Sequence, residues 1–252
     1  MQIAESLRPA SDRERLEAVA HDLAGRLDPG DKPARNLAAA LDAVGGRVTL
    51  GTAFGREGCV LVHLVATHQL AVDLFTLDTG LFFEETYALW EALETRYGVE
   101  IRRIEPRESI DDQAARLGPA LWERQPNRCC HLRKVVPLRG VLAEFDGWVT
   151  GVRRGQSAVR AQAQISAYDT EHNVVKINPL VAWSDEKLNA FIETHQIPIN
   201  ALHARGYPSI GCWPCTSPVA PGEDPRAGRW RGQSKTECGI HASFAARERL
   251  AT

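Results

Sequence analysis

Residues 47–58 read RVTLGTAFGREG, and this stretch decides the fold. Arg47 to Thr52 alternates apolar and β-branched side chains, which predicts a strand. It runs directly into the loop AFGREG, and the apolar segment Cys59 to His68 that follows predicts a helix. Downstream the same alternation repeats. Ala71 to Thr76 (AVDLFT) is a second strand, ending at Leu77-Asp78-Thr79-Gly80. Glu84 to Tyr97 fits a helix, and Val99 to Ile104 (VEIRRI) a strand. Trp148 to Gly151 and Val174 to Ile177 are two more short strands. Ser184 to His195 reads as a helix, with Ser184 as N-cap ahead of Asp185 and Glu186. Strands alternating with helices of about a dozen residues imply an α/β fold, a doubly wound and mostly parallel sheet covered on both faces. Ligands bind such sheets at the carboxyl ends of the strands, so the loops 52–58, 77–81 and 151–160 are expected to converge.

Upstream, residues 12–26 and 33–43 have helical spacing, and residues 1–45 form an N-terminal helical segment without a chemical signature. Residues 46–205 make the α/β domain. Beyond about residue 205 the periodicity dissolves into Gly, Pro and Arg, and residues 206–252 read as an irregular tail, the kind of long loop that carries function. The chain has 252 residues, 44% of them hydrophobic, and a formal charge of −2. No global basic field argues for nucleic acid or an anionic membrane. No stretch approaches the roughly 18 apolar residues of a membrane span, and Met1 to Arg15 lacks the order of a signal peptide. A cytoplasmic protein is expected, in which six cysteines are ligands or reactive thiols rather than staples.

Cys129 and Cys130 are adjacent in RCCHLRK, and Cys212 and Cys215 form C-x-x-C in GCWPCT. Four thiolates suit zinc or an iron–sulfur cube. Adjacent cysteines chelate a single ion awkwardly, whereas a cluster offers separate iron corners, which favours iron. A buried inert pair beside an unrelated redox motif is the plainer alternative. Cys238 stands apart in KTECGIHAS. Lys235 and His241 nearby are expected to favour its thiolate, the nucleophilic form. Cys59, in an apolar run, reads as core.

Taken together these segments resemble the assimilatory adenylylsulfate and phosphoadenylylsulfate reductases. The resemblance runs from about residue 47 to 241, through TAFGREG, LDTG with FFEETY, CC-x-x-RK, GVRRGQS, INPL, IPINALHARGYPSIGCWPCT, PGEDPRAGRW and ECGIH. It implies a fold of the adenine-nucleotide alpha-hydrolase (PP-loop) type. It implies further that Cys238 attacks the sulfur of a sulfonucleotide, that the nucleotide leaves, and that thioredoxin or glutaredoxin releases sulfite from the S-sulfocysteine. The four paired cysteines resemble the ligands of a [4Fe–4S] cluster in the branch that uses adenosine 5′-phosphosulfate. Lys134 is expected to link that cluster to the sulfate, with His241 beside the nucleophile. Arg153, Arg154, Arg160, Arg226 and Arg229 are expected to screen sulfate and phosphate oxygens, since guanidinium groups bind them in a bidentate manner.

Thr52, Gly55 and Glu57, with Leu77, Asp78, Thr79 and Gly80, resemble the nucleotide loops of that family. The bland reading of the first loop is a strand–helix turn with its glycine in a left-handed conformation. Ala53 and Gly58 stand where polar side chains are frequent in the family, Leu81 where Arg is frequent, and Gly155 where an acidic residue is common. Three alternatives compete: the same chemistry on the 3′-phosphorylated nucleotide through Arg56 or Arg153, a PP-loop adenylating enzyme, and a non-catalytic zinc module. TAFGREG fits the serine- and glycine-rich loop of the adenylating group poorly. The sequence leaves the oligomeric state open, a homo-oligomer included.

Overall fold

The computed structural model describes residues 9–30 and 32–241. Its centre is a six-stranded sheet of order β3-β2-β1-β4-β6-β5. The strands are β1 (Val48–Gly51), β2 (Asp73–Leu77), β3 (Ile101–Ile104), β4 (Gly147–Val149), β5 (Ser166–Asp169) and β6 (Val174–Ile177). Five run parallel, and β5 pairs antiparallel with β6 at one edge. The chain winds outward from β1 to β3, then restarts at β4 on the other side of β1. That reversal places the topological switch point between the carboxyl ends of β1 and β4, where open α/β sheets bind ligands.

Helices α1 (Ala10–Arg26), α2 (Pro33–Val44), α3 (Arg56–Thr67) and α4 (Glu84–Tyr97) precede β3. Leu16 and Leu23 of α1 and Leu37 of α2 are fully buried in one core with Leu50, Leu61 and Val175, so the N-terminal helices share the core of the sheet. Between β3 and β4 lie α5 (Ile110–Leu117), α6 (Leu121–Arg124), α7 (Pro126–Cys130) and α8 (Val136–Leu142). Helix α9 (Asp185–Thr194) closes the domain, and Ser184 caps it as expected, accepting from the Lys187 amide at 3.2 Å.

Two local features differ from expectation. Edge strand β5 was not anticipated because SAYD has only one strongly apolar residue, and pairing with β6 supplies what propensity lacks. In the first nucleotide loop, Gly55 is extended and caps α3; the left-handed residue is Phe54, at φ 58°. Its ring stacks on Trp90 at 5.5 Å, and it is 1% exposed, so core packing holds a conformation that a bulky residue otherwise avoids.

The β5–β6 hairpin carries a buried charge cluster. Burial pushes the Asp169 carboxyl up, but the His172 hydrogen bond at 3.1 Å and the Lys176 ammonium outweigh it and hold it at about 2. A depressed carboxylate pKa contributes stability that is present above the ordinary value of 3.8 and is lost as pH falls through about 2. The contribution is about 2 kcal/mol near neutrality, with about half of it gone by pH 3. Urea unfolding of wild type and Asp169→Asn at pH 7 and pH 3 is expected to show a gap that narrows with acid. A gap of constant size would remove the charge cluster from the account.

Candidate active site and cysteine cage

Helix α7 ends on Cys129 and Cys130, and the next residues, His131–Val135, form a single π-helical turn before α8. Pro137, just inside α8, brings no amide hydrogen to the ladder, and the Val136 amide bonds back to His131. A π-turn of this kind widens the helix by one residue and is frequent at functional sites. Here it aims Arg133 and Lys134 at the cysteines. Cys212 caps a one-turn 3-10 helix, Trp213–Cys215, and Cys215 ends it. All four thiols, none in a disulfide, line one cavity with Thr79 and Lys134.

The second nucleotide loop is tied to this cage. Thr79 Oγ1 lies 3.3 Å from Cys212 Sγ, and the Trp213 amide donates to the Leu81 carbonyl at 2.8 Å. Buried Arg133 donates Nε to the Thr79 carbonyl at 2.6 Å and Nη1 to Glu108 O and Gln113 Oε1, both at 3.2 Å. Asp78 is 3% exposed and shapes the turn, accepting from the Gly80 amide and the Tyr87 hydroxyl and pairing with Arg103. Leu77 ends β2.

The electrostatics follow from crowding. Burial, then repulsion from Cys130, Cys212 and Cys215, pushes the Cys129 thiol up to about 12. Burial and the neighbouring thiols push Cys215 to about 11. Burial pushes Lys134 down, but Cys212, Cys130 and Cys238 outweigh it and hold the ammonium above the ordinary lysine value. For Cys238, burial pushes the thiol up, but Lys134, the Ile240 amide and Arg229 outweigh it and leave it below the ordinary value.

These cations differ from the pair expected from the sequence. Lys235 donates to Asn127 Oδ1 and lies over Trp230. His241 stacks on Trp148 at 5.3 Å, and burial followed by Lys176 and Arg160 pushes its pKa well down. Neighbours in sequence need not act on a thiol: the cations that lower Cys238 are Lys134, from the π-helical turn, and Arg229, from the segment before the tail.

The arginines fall into separate groups. Arg153 is 2% exposed and donates to Glu57 Oε1 at 2.8 Å, Trp183 O at 2.9 Å and Asp185 Oδ1 at 2.9 Å. It braces the loop after β4 against α3 and α9, with its Nε, Nη1 and Nη2 engaged inside the protein. Arg56 pairs with Asp185 as well. Arg154 is exposed and donates to Ala163 O, away from Arg153. Arg160 and Arg226 both grip Glu237. Arg229 acts on Cys238 and donates to Ser209 Oγ at 3.3 Å.

In the first loop, Thr52 Oγ1 accepts from the Phe54 amide. A Cβ at Gly58 would lie 2.4 Å from that hydroxyl oxygen, and one at Gly151 would lie 2.8 Å from Glu57 Cβ. The departure at Gly58 is therefore a requirement of close approach. Sequence reasoning passed over Arg133, Gln113, Trp230 and Glu237. Arg133 and Glu237 lie inside the motifs CC-x-x-RK and ECGIH, so their position next to the chemistry was the available signal.

The fold and cage together define a nucleotide-type α/β enzyme with a thiol-bearing tail. Residues 47–218 match the family model described as the phosphoadenosine phosphosulfate reductase domain. The chain is 48% identical over 204 residues to the adenosine 5′-phosphosulfate reductase of Rhodococcus opacus, spanning 81% of this chain and 83% of that one. It is 43% identical over 230 residues to the protein of that name from Agrobacterium fabrum, spanning 89% and 84%. Among solved structures it resembles phosphoadenylyl-sulfate reductase from Candida auris, with a TM-score of 0.69 and 27% identity, covering 79% of this chain and 96% of that one. The chain belongs to the phosphoadenosine phosphosulfate reductase family, and it is an oxidoreductase of sulfur metabolism. Among the described residues, no helix is long and apolar enough to cross a membrane.

Proposed function

We propose that the chain reduces adenosine 5′-phosphosulfate to sulfite and AMP, with Cys238 as nucleophile. The observation that carries this reading is the half-buried seat of Cys238, where the charges of Lys134, which lines the four-cysteine cavity, and of Arg229 pull the thiol below its ordinary value. Relatives of 43 to 48% identity that bear the name of this activity support the choice of nucleotide. The Cys238 thiolate attacks the sulfate sulfur. An S–S bond forms, the S–O bond to the phosphate breaks, and AMP leaves with the electron pair. Lys134 and Arg229 screen the oxygens that a thiolate otherwise meets, an effect that is strongest when the cations are preformed. A thiolate of thioredoxin or glutaredoxin then attacks Cys238 Sγ and displaces sulfite. The second thiol of that protein resolves the mixed disulfide, so the reductant is oxidised and Cys238 is restored.

The donor set fits an iron–sulfur cluster. Four free thiols from two distant segments face one cavity next to the half-buried Lys134. Cys129, Cys130, Cys212 and Cys215 would hold a [4Fe–4S] cluster, whose contribution when bound is charge and rigidity next to Lys134. In this division, residues 46–205 bind the nucleotide through Thr52, Gly55 and the 77–80 turn. Residues 206–252 carry the second ligand pair and the nucleophile. A reducing, cytoplasmic setting suits six free thiols.

The test is sulfite release from adenosine 5′-phosphosulfate and from its 3′-phosphorylated form, on anaerobically purified protein with thioredoxin. Preference for the first nucleotide is expected. Preference for the second would keep the chemistry and break the link between the four cysteines and substrate choice. No sulfite from either, in folded and iron-loaded protein, would overturn the reading.

A further inference from the structure

Glu237, immediately before Cys238, is 8% exposed. Its Oε2 accepts from Arg160 Nη2 at 3.0 Å and from Arg226 Nη2 at 3.1 Å. Ser157 Oγ donates to Oε1 at 3.4 Å, and Arg226 Nη2 also donates to the Thr236 carbonyl at 3.0 Å. These partners come from two places: Ser157 and Arg160 from the loop after β4, Arg226 from the Gly- and Pro-rich segment before the tail. One carboxylate therefore joins the tail to two loops. Such a pair is charge-assisted on both sides, and a buried carboxylate that loses its partners is strongly disfavoured.

Beyond Cys238 the tail has a second, apolar seat. Ile240 packs against the small core of Phe75, Leu138 and Trp148, and His241 stacks on Trp148. Cys238 thus lies between an ionic anchor on one side and an apolar anchor on the other. Lys134 and Arg229 are the cations that lower the thiol; of the two arginines engaged by Glu237, Arg226 also feels the Cys238 charge, and Arg160 is not among the groups acting on it.

We propose that Glu237 is a positioning residue that clamps the tail through Arg160 and Arg226, holding Cys238 in its seat, and that opening this clamp exposes the thiol to large reactants. The functional meaning rests on reading Cys238 as the nucleophile; the clamp itself does not, because it is measured without nucleotide. A protein thiol needs room around Sγ that a docked tail denies, whereas a nucleotide needs the seated thiol. A clamp of moderate strength between the two states serves both.

The experiment is alkylation of Cys238 in the full-length, anaerobically prepared protein without nucleotide, followed by mass spectrometry of its own peptide across pH. Glu237→Gln is expected to raise the high-pH plateau rate about tenfold, the effect of shifting the open–closed equilibrium by one decade. Glu237→Asp keeps the charge beside the thiol but shortens the reach, and is expected to raise the plateau as well. Arg160→Met is expected to match Glu237→Gln, with the double variant no faster than either single one, because both break the same contact. Ser157→Ala, a milder change, is expected to give a smaller increase with the thermal midpoint unchanged, so the inference survives a Glu237 variant that folds poorly. Plateau rates equal to wild type in the folded variants, a shift of midpoint alone, or additive effects in the double variant would overturn it. Loss of Cys238-dependent sulfite release would strike the functional reading and leave the clamp standing.

Discussion

Cys238→Ser is expected to lower sulfite release by about a thousandfold or more, the scale of removing a covalent nucleophile. A serine hydroxyl fits where a thiol sat, so the half-buried seat between Glu237 and Ile240 is kept. What is lost is the anion. Lys134 and Arg229 lower a thiol from a value near 9, but they cannot bring an aliphatic hydroxyl into the neutral range. The expected signature is therefore a split between binding and chemistry. Nucleotide affinity stays near wild type, and thermal stability shifts by less than about 0.5 kcal/mol, as for a substitution outside the main core. Intact mass after exposure to nucleotide without reductant gives a second readout. Wild type gains one sulfonate group and the variant gains none. A variant that still forms the adduct would move the nucleophile to another of the six cysteines.

The opposite behaviour is expected of the cage cysteines, and the contrast comes from their electrostatics. Cys129 and Cys215 are pushed up by burial and by one another, so without a cation to share they are poor nucleophiles. Cys238 is the thiol that outside cations pull down. Lys134 acts on both kinds of cysteine; in the cage, burial and the neighbouring thiols outweigh it, whereas at Cys238 Lys134, the Ile240 amide and Arg229 outweigh burial.

Much of this was legible in the sequence because it depended on period and punctuation. The strand–loop–helix at 47–68, the turn at 77–80 and the Ser184 cap are local, and the alternation of strands and helices gives the mostly parallel sheet, though not the order of its strands. The segment between β3 and β4 resisted reading. Its helices are short, interrupted by Pro119, Pro126 and Pro137, and the turn that aims Lys134 is π-helical. A 3.6-residue period does not describe such a stretch. The arginines were recognisable as a group but not as individuals. Their partners are Glu57, Asp185 and Glu237, and Arg153 lies 96 positions from Glu57. Charge alone says that a guanidinium is available; only the fold says what already occupies it.

Arg153 gives the sharpest test of that distinction. As a substrate contact, Arg153→Met would raise KM and leave stability unchanged. As the brace seen here, it is expected to cost about 3–5 kcal/mol, the scale of breaking a buried ion pair from one side. The cost arises chiefly at Glu57, which is 15% exposed and loses its main cation. Asp185 is 51% exposed and keeps Arg56, so it contributes less. The thermal midpoint is expected to fall by about 10 °C, at the 2–4 °C per kcal/mol typical of a chain this long. Glu57→Gln added to Arg153→Met is expected to recover part of the loss, because the orphaned charge is then gone, so the double variant is more stable than Arg153→Met alone. Activity is expected to fall in both, since Glu57 sits in the first nucleotide loop and the brace sets the position of that loop against β4. A variant with the wild-type midpoint and a raised KM would return Arg153 to the substrate.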